Sequence, residues 1–176
     1  TSRGFAVKKL LLALAGLCLL VSVSSAATYH VNFSRYGSSN SNAGTSRTSP
    51  KKTLASLRTI ARPGDSVYVY APGVYTWSVL DSTGSNPTSG GRIPVVGVSA
   101  YGKQPMIQGG MSVSNPYTYI NGFHIIGDLV LNEGADFCRV MDCEIDGSLS
   151  LVGADYSTVV GCTVRGRWFS VSPTNQ

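Results

Sequence analysis

With 176 residues, 43% of them hydrophobic and 13% charged, the chain is long enough for one domain with a core and too short for two comfortable ones. Of its 14 basic residues, Arg3, Lys8 and Lys9 lie in the first stretch of sequence, and without them the formal charge falls from +5 to about +2. The basic residues from Arg35 to Lys103 are scattered, with no aromatic interleaving and no nucleic-acid motif, so they read as solvated surface and nucleic acid is not expected as a partner.

Leu10 to Val23 is an apolar run, preceded by Arg3, Lys8 and Lys9 and followed by Ser24-Ser25-Ala26-Ala27. A charged n-region, an h-region and small-residue cleavage options after Ala26 or Ala27 predict a secretory signal peptide over 1–27, and hence a secreted product, extracellular or periplasmic. The alternative is a membrane anchor, which wants about 20 consecutive apolar residues; no stable membrane insertion is expected once the segment is cut. A lipoprotein signal fits worse, since Cys18 follows Leu17 inside the apolar run. Cleavage leaves Cys138, Cys143 and Cys162, an odd and sparse set that does not describe a disulfide scaffold. With no CxxC pair, zinc is not expected either.

Thr28 to Phe33 alternates as a strand does, and Tyr36 to Thr48 has the Gly, Ser, Asn and Thr content of a loop. Asn32-Phe33-Ser34 is a glycosylation sequon, meaningful only in a eukaryotic secretory host. Ser49-Pro50 is a helix start, Leu54, Leu57, Ile60 and Ala61 share one helical face, and Arg62-Pro63-Gly64 is a stop, which predicts an α-helix over about 50–61. Strand signals resume at Ser66 to Tyr70, with Val67 and Val69 inward. The outward Tyr68 and Tyr70, with Tyr75 and Trp77, line a sugar-binding surface or else are covered by the following loop. Thr83 to Arg92 is a loop, Ile93 to Val98 a strand, Tyr101 to Pro105 a turn, and Met106-Ile107 a further strand.

From Tyr119 the sequence repeats itself. Tyr119-Ile120-Asn121-Gly122-Phe123-His124-Ile125-Ile126-Gly127 returns as Arg139 to Gly147 and as Thr158 to Gly166, and Leu129 to Asp136 returns as Leu149 to Asp155. Such a period, 20 residues and then 19, marks a solenoid, in which no repeat buries its apolar face alone. Apolar residues two apart (Phe123/Ile125, Cys143/Ile145, Cys162/Val164; Leu129/Leu131, Leu149/Leu151) have strand spacing, so each repeat reads as one coil of a parallel β-helix. A leucine-rich repeat needs a consensus that is missing. Gly127, Gly147 and Gly166 are expected at turns with positive φ, and Asp142, in the place of its sisters' glycine, at another. Cys143 and Cys162 are expected to stack inward as a thiol ladder, a bridge between them being the alternative. The helix at 50–61 then becomes the N-terminal cap, since an uncovered first coil exposes apolar side chains and an unpaired strand edge. The domain reading is a signal peptide at 1–27, a strand, loop and capping helix at 28–64, and coils at 65–176.

The succession Asn42-Ala43-Gly44-Thr45, Ser49-Pro50-Lys51-Lys52-Thr53-Leu54, Arg62-Pro63-Gly64-Asp65-Ser66-Val67-Tyr68-Val69 and Pro72-Gly73-Val74-Tyr75, with Ser89-Gly90-Gly91-Arg92-Ile93-Pro94-Val95 and Lys103-Gln104-Pro105-Met106-Ile107, resembles secreted right-handed parallel β-helix proteins of the pectate-lyase-like superfamily. The resemblance implies an all-β solenoid, a right-handed parallel β-helix with an N-terminal capping α-helix and coils of about 19–20 residues. For activity it implies less, because the superfamily holds lyases, hydrolases, epimerases and adhesins. Its lyases, as the resemblance implies, neutralise a uronate carboxylate with Ca²⁺ or basic side chains and abstract the adjacent proton with Lys or Arg. No catalytic motif of that kind is matched here.

Alternation places His124, Glu144 and Thr163 in one outward column, Ile126, Asp146 and Arg165 in the next, then Asp128, Ser148 and Arg167. His124, Glu144, Asp146, Arg165 and Arg167 are the candidate substrate-binding residues, and Glu144, Asp146 and Asp128 the candidate ligands of Ca²⁺, which takes six to eight oxygens. The plain alternative is a set of weak surface ion pairs. The functional expectation is a carbohydrate-active protein that binds or cleaves an acidic polysaccharide or a cell-surface glycan; the alternative is a non-catalytic adhesion or structural protein. Arg167 to Val171 begins a fourth coil close to the end of the sequence, which suggests a piece of a longer reading frame and an open C-terminal edge suited to self-association.

Overall fold

Short segments of alternating apolarity make short strands, and here they are held edge to edge by one another. The structure, a computed structural model, describes residues 25–62, 64–77 and 93–171. Residues 1–24 of the signal peptide read at 1–27, and the loop read at 83–92, lie outside the described residues. In chain order the strands are β1 (Thr28–Val31), β2 (Ser66–Tyr70), β3 (Val74–Thr76), β4 (Pro94–Val98), β5 (Met106–Gln108), β6 (Met111–Val113), β7 (Tyr119–Asn121), β8 (His124–Ile126), β9 (Leu129–Leu131), β10 (Arg139–Met141), β11 (Glu144–Ile145), β12 (Leu149–Val152), β13 (Thr158–Val160), β14 (Thr163–Val164) and β15 (Trp168–Val171).

These strands form three parallel sheets, ordered β1-β2-β4-β7-β10-β13, β14-β11-β8-β5-β3 and β15-β12-β9-β6. From β4 onward the chain visits the three sheets in rotation, one strand in each, and then returns beside its own previous circuit. The register matches the repeat in the sequence: Arg139 pairs with Tyr119 and with Thr158, Glu144 with His124 and with Thr163, Leu149 with Leu129 and with Trp168. The fold is therefore all-β and parallel, and equivalent residues of successive phrases are stacked neighbours.

Stacking fixes what is buried. Ile120, Phe123, Ile125, Leu129 and Leu131 of one circuit and Val140, Ile145 and Leu149 of the next have no solvent exposure, and Cys143 is nearly as buried. Full burial of such side chains contributes about 1.5–3 kcal/mol each. In the last circuit Val159, Cys162 and Val164 pack against this core while remaining partly exposed. Cys138, Cys143 and Cys162 are free thiols.

Two glycine expectations change. Gly127 has the expected positive φ of 127°, whereas Gly147 and Gly166 do not belong to that class. They are glycine for another reason: a Cβ on Gly147 would stand 2.5 Å from the carbonyl carbon of Gly127, and one on Gly166 would stand 2.5 Å from the carbonyl oxygen of Gly147. Each circuit's glycine leaves room for the backbone of the circuit before it. Asp142 does have a positive φ, 50°, matching Gly122 and Gly161 at the equivalent places.

The α-helix expected over 50–61 is replaced by one turn of 3-10 helix, Leu54–Leu57. The residues before it are engaged elsewhere. Lys51 pairs with β1, its amide donating to the His30 carbonyl and its carbonyl accepting from the Asn32 amide, both at 2.9 Å. Ser49 closes a tight turn onto Ser46 instead of capping a helix, and Asn40 Oδ1 accepts the amides of Lys52 and Thr53. At the far end Asp65 holds the Arg62 amide at 2.7 Å. So short a stretch cannot propagate an α-helix, yet Leu54, Leu57 and Ala61 are buried as their spacing predicts. The outer edge of β1 is thus covered by Lys51 and by Gly44, whose carbonyl accepts the His30 amide at 2.7 Å.

Candidate functional site

Period-two alternation along β8, β11 and β14 turns Ile125 and Ile145 into the core and leaves His124, Glu144 and Thr163 on the outer face in a single column, in register with Met106 of β5. Asp146 and Arg165 follow directly on β11 and β14 and form the next column. Four of the sequence candidates meet here. His124 Nε2 lies 2.9 Å from Asp146 Oδ2, Arg165 donates to Asp146 Oδ1 at 2.6 Å, and a second guanidinium nitrogen of Arg165 donates to Glu144 Oε1. Because an ionised carboxylate only accepts, the His124 nitrogen facing Asp146 carries a proton.

The network is partly open to water, the Arg165 side chain being 57% exposed. Asp146 is held below the usual carboxylate range, first by the hydrogen bond from His124, against some desolvation, and then by the charges of His124 and Arg165. Two carboxylates share one arginine, so the group carries one net negative charge when the imidazole is neutral and none when it is protonated. Asp146 is consequently a poor proton acceptor near neutral pH, and the arrangement suits hydrogen bonding to a ligand better than proton transfer.

Asp128 and Arg167 do not join this network. Asp128 Oδ1 accepts the Ser148 amide at 2.7 Å, and the Arg167 amide faces Ser148 Oγ at 3.3 Å, so both serve the next turn of the chain. The metal expectation on Glu144, Asp146 and Asp128 is therefore redrawn: among the described residues the group whose ligand atoms approach within 4.8 Å is His124, Glu144 and Asp146. It fits Ca²⁺ poorly. Arg165 already sits on both carboxylates, and the third member, His124, offers a nitrogen where Ca²⁺ takes oxygen ligands.

A groove of about 890 Å³ runs beside the network. Its lining includes Lys103, Gln104, His124, Asp142, Glu144 and Thr163, contributed by the turn before β5 and by β8, β11 and β14 with their turns. Gln104 is fixed there, its Nε2 donating to the Asp142 carbonyl at 2.8 Å.

The early aromatics do not form an open sugar surface. Tyr70 and Tyr75 are buried, and the Tyr75 hydroxyl donates to the Tyr70 carbonyl at 2.6 Å while accepting the Phe33 amide at 3.0 Å. Tyr68 stacks on His30, and the Trp77 indole donates to the Ser112 carbonyl at 3.0 Å. Burial holds the His30 imidazole below its ordinary range, with a smaller push from Arg47, and raises the Tyr75 phenol.

An exposed aromatic column occurs elsewhere and was missed in the sequence. Tyr117, Phe137 and Tyr156 stack with nearly parallel rings, centroids 5.1 and 5.0 Å apart, and each has a positive φ between 55° and 59°. The signal was present, since Phe137 and Tyr156 both directly follow the aspartate that ends the second phrase. Inside the core, Cys143 donates to the Met141 carbonyl at 3.2 Å. The neighbouring Cys162 sulfur, followed by burial, pushes the Cys143 thiol up, and the same interaction lowers Cys162 to about 7.

No protein-family model matches this chain, and neither a curated protein nor a solved structure matches it.

Proposed function

We propose that the chain is a secreted right-handed parallel β-helix of the pectate-lyase-like kind, and that its groove over β5, β8, β11 and β14 binds an acidic polysaccharide. The fold part of this reading is supported by the rotation of the chain through three parallel sheets and by the resemblance of residues 42–75 and 89–107. In it, the turn at Leu54–Leu57 and the Lys51 segment cover the first circuit in place of a longer capping helix.

The observation that carries the binding reading is the groove itself, lined by Lys103 and Gln104 from the turn before β5 and by His124, Glu144 and Thr163 from β8, β11 and β14. An extended glycan can lie across successive circuits, a uronate carboxylate meeting Lys103 and its hydroxyls meeting Gln104, His124 and Glu144. The pairing of Arg165 with both carboxylates favours binding without cleavage, because it leaves Asp146 and Glu144 engaged. No residue is assigned a catalytic role, and Ca²⁺ is not part of the reading.

Affinity electrophoresis in gels containing polygalacturonate, alginate or a neutral glucan tests it. The acidic polymers should retard the protein, added salt should weaken the effect, and Lys103→Ala and Arg165→Ala should each reduce it. Equal mobility in all gels would remove the binding reading. Ultraviolet absorbance from unsaturated sugar products, appearing on incubation with either acidic polymer, would replace it with lyase activity.

A further inference from the structure

The start of β1 contains an unbalanced charge. Asp65 is 5% exposed, and its two carboxylate oxygens are held by backbone amides: Oδ1 by Ala27 at 2.7 Å and Oδ2 by Arg62 at 2.7 Å. Among the described residues no side-chain cation is ion-paired to it; Arg62 directs its guanidinium to the carbonyls of Thr59 and Ala61. A buried carboxylate that meets only neutral donors is a costly arrangement, and a cation at hydrogen-bond distance relieves it.

Ala27 is the residue that can become that cation. Its carbonyl accepts the Ser66 amide at 2.9 Å, so both its backbone groups are fixed against β2. Ser25 and Ala26, just before it, are exposed. A cut after Ala27 would discard both the donor to Asp65 and the acceptor for Ser66. A cut after Ala26 would keep both and turn the donor into an α-ammonium.

We propose that the chain is processed between Ala26 and Ala27, and that the new amino terminus forms an ion pair with the buried Asp65 carboxylate. The inference rests on the secretion part of the reading above and is independent of glycan binding. The reaction is hydrolysis by a leader-cleaving endopeptidase that accepts small residues before the cut, here Ser24 and Ala26. Water adds across the peptide bond, the Ala26 carbonyl carbon leaves as a carboxylate, and the Ala27 nitrogen leaves as an amine that takes up a proton. Of the two cleavage options visible in the sequence, the Asp65 contact selects one.

The whole chain, leader included, is expressed in a secreting host and the exported protein is subjected to N-terminal sequencing. The expected terminus is Ala27-Thr28-Tyr29. A terminus at Thr28, or at any other residue, overturns the inference while leaving groove binding intact; an uncut chain overturns the inference and the secretion reading together. A second measurement reads the pair itself: acylation of the α-amine at neutral pH should be about tenfold slower in the native protein than in Asp65→Asn, which keeps an acceptor for the nitrogen but no charge. Equal rates would show that the terminus is not on Asp65. Should Asp65→Asn fail to fold, the same comparison is made between native protein and its urea-unfolded form.

Discussion

The first 50 described residues and the repeated circuits of 119–166 solve the same problem by opposite means. In the repeats each strand is satisfied by an equivalent strand on either side, so one set of contacts is written several times: Phe123 over Cys143 over Cys162, and Tyr117 over Phe137 over Tyr156. Among the described residues β1 has a neighbouring strand on one side only. Its other edge is closed by contacts that occur once: Lys51 and Gly44 on its backbone, Asn40 on the amides of Lys52 and Thr53, and Asp65 on Ala27. A periodic interior tolerates a simple rule, whereas the end of a stack needs buried polar groups placed individually.

Truncation of the core should have the largest effect and should be greatest where both neighbours are present. Phe123→Ala is expected to cost about 3–5 kcal/mol and Leu57→Ala, near the closed end, somewhat less within about 2–5 kcal/mol, by urea unfolding. A larger loss at Leu57 would reverse the comparison. Next, Tyr75→Phe removes a hydroxyl that serves both the Phe33 amide and the Tyr70 carbonyl, and should cost about 1–3 kcal/mol; a neutral result would mean that the early one-off contacts are dispensable.

Gly147→Ala and Gly153→Ala separate two kinds of glycine. The first meets backbone 2.5 Å away and should cost about 1–3 kcal/mol through displacement of the previous circuit. The second has ordinary contacts of 3.6 Å and a φ of 64°, so only left-handed strain, about 1 kcal/mol, is expected. Thermal melts that rank them the other way would break the close-approach account.

The smallest effects belong to the surface network. Glu144→Gln should change stability by less than about 1 kcal/mol. Asp146 has a depressed folded pKa, so its contribution is fully present above its unfolded value, about 3.9, and is lost as pH falls through the lower folded value. The difference in melting temperature between native protein and Asp146→Asn should therefore be present at about pH 6 and close below about pH 4. A gap that widens on acidification would contradict the His124 and Arg165 contacts.

Much of the interior was legible because the phrase repeats: spacing alone placed Ile125, Ile145 and Leu149 inward and His124 beside Glu144. The site was legible as columns only. That Arg165 bridges two carboxylates while Asp128 turns to the Ser148 amide depends on side-chain reach across circuits, which one strand's alternation does not encode. The helix at 50–61 was misjudged because propensity and capping residues are local, while Lys51 is held by β1, twenty residues away.

By itself, then, the sequence determined the period, the strand spacing and the inward ladder, since each follows from which residues must leave water. Tertiary structure alone decided which edge is closed, which carboxylates are paired and why Gly147 and Gly166 are glycine. Those depend on how near a second segment comes, and at 2.5 Å the neighbouring backbone, not the residue's own conformational preference, sets the choice.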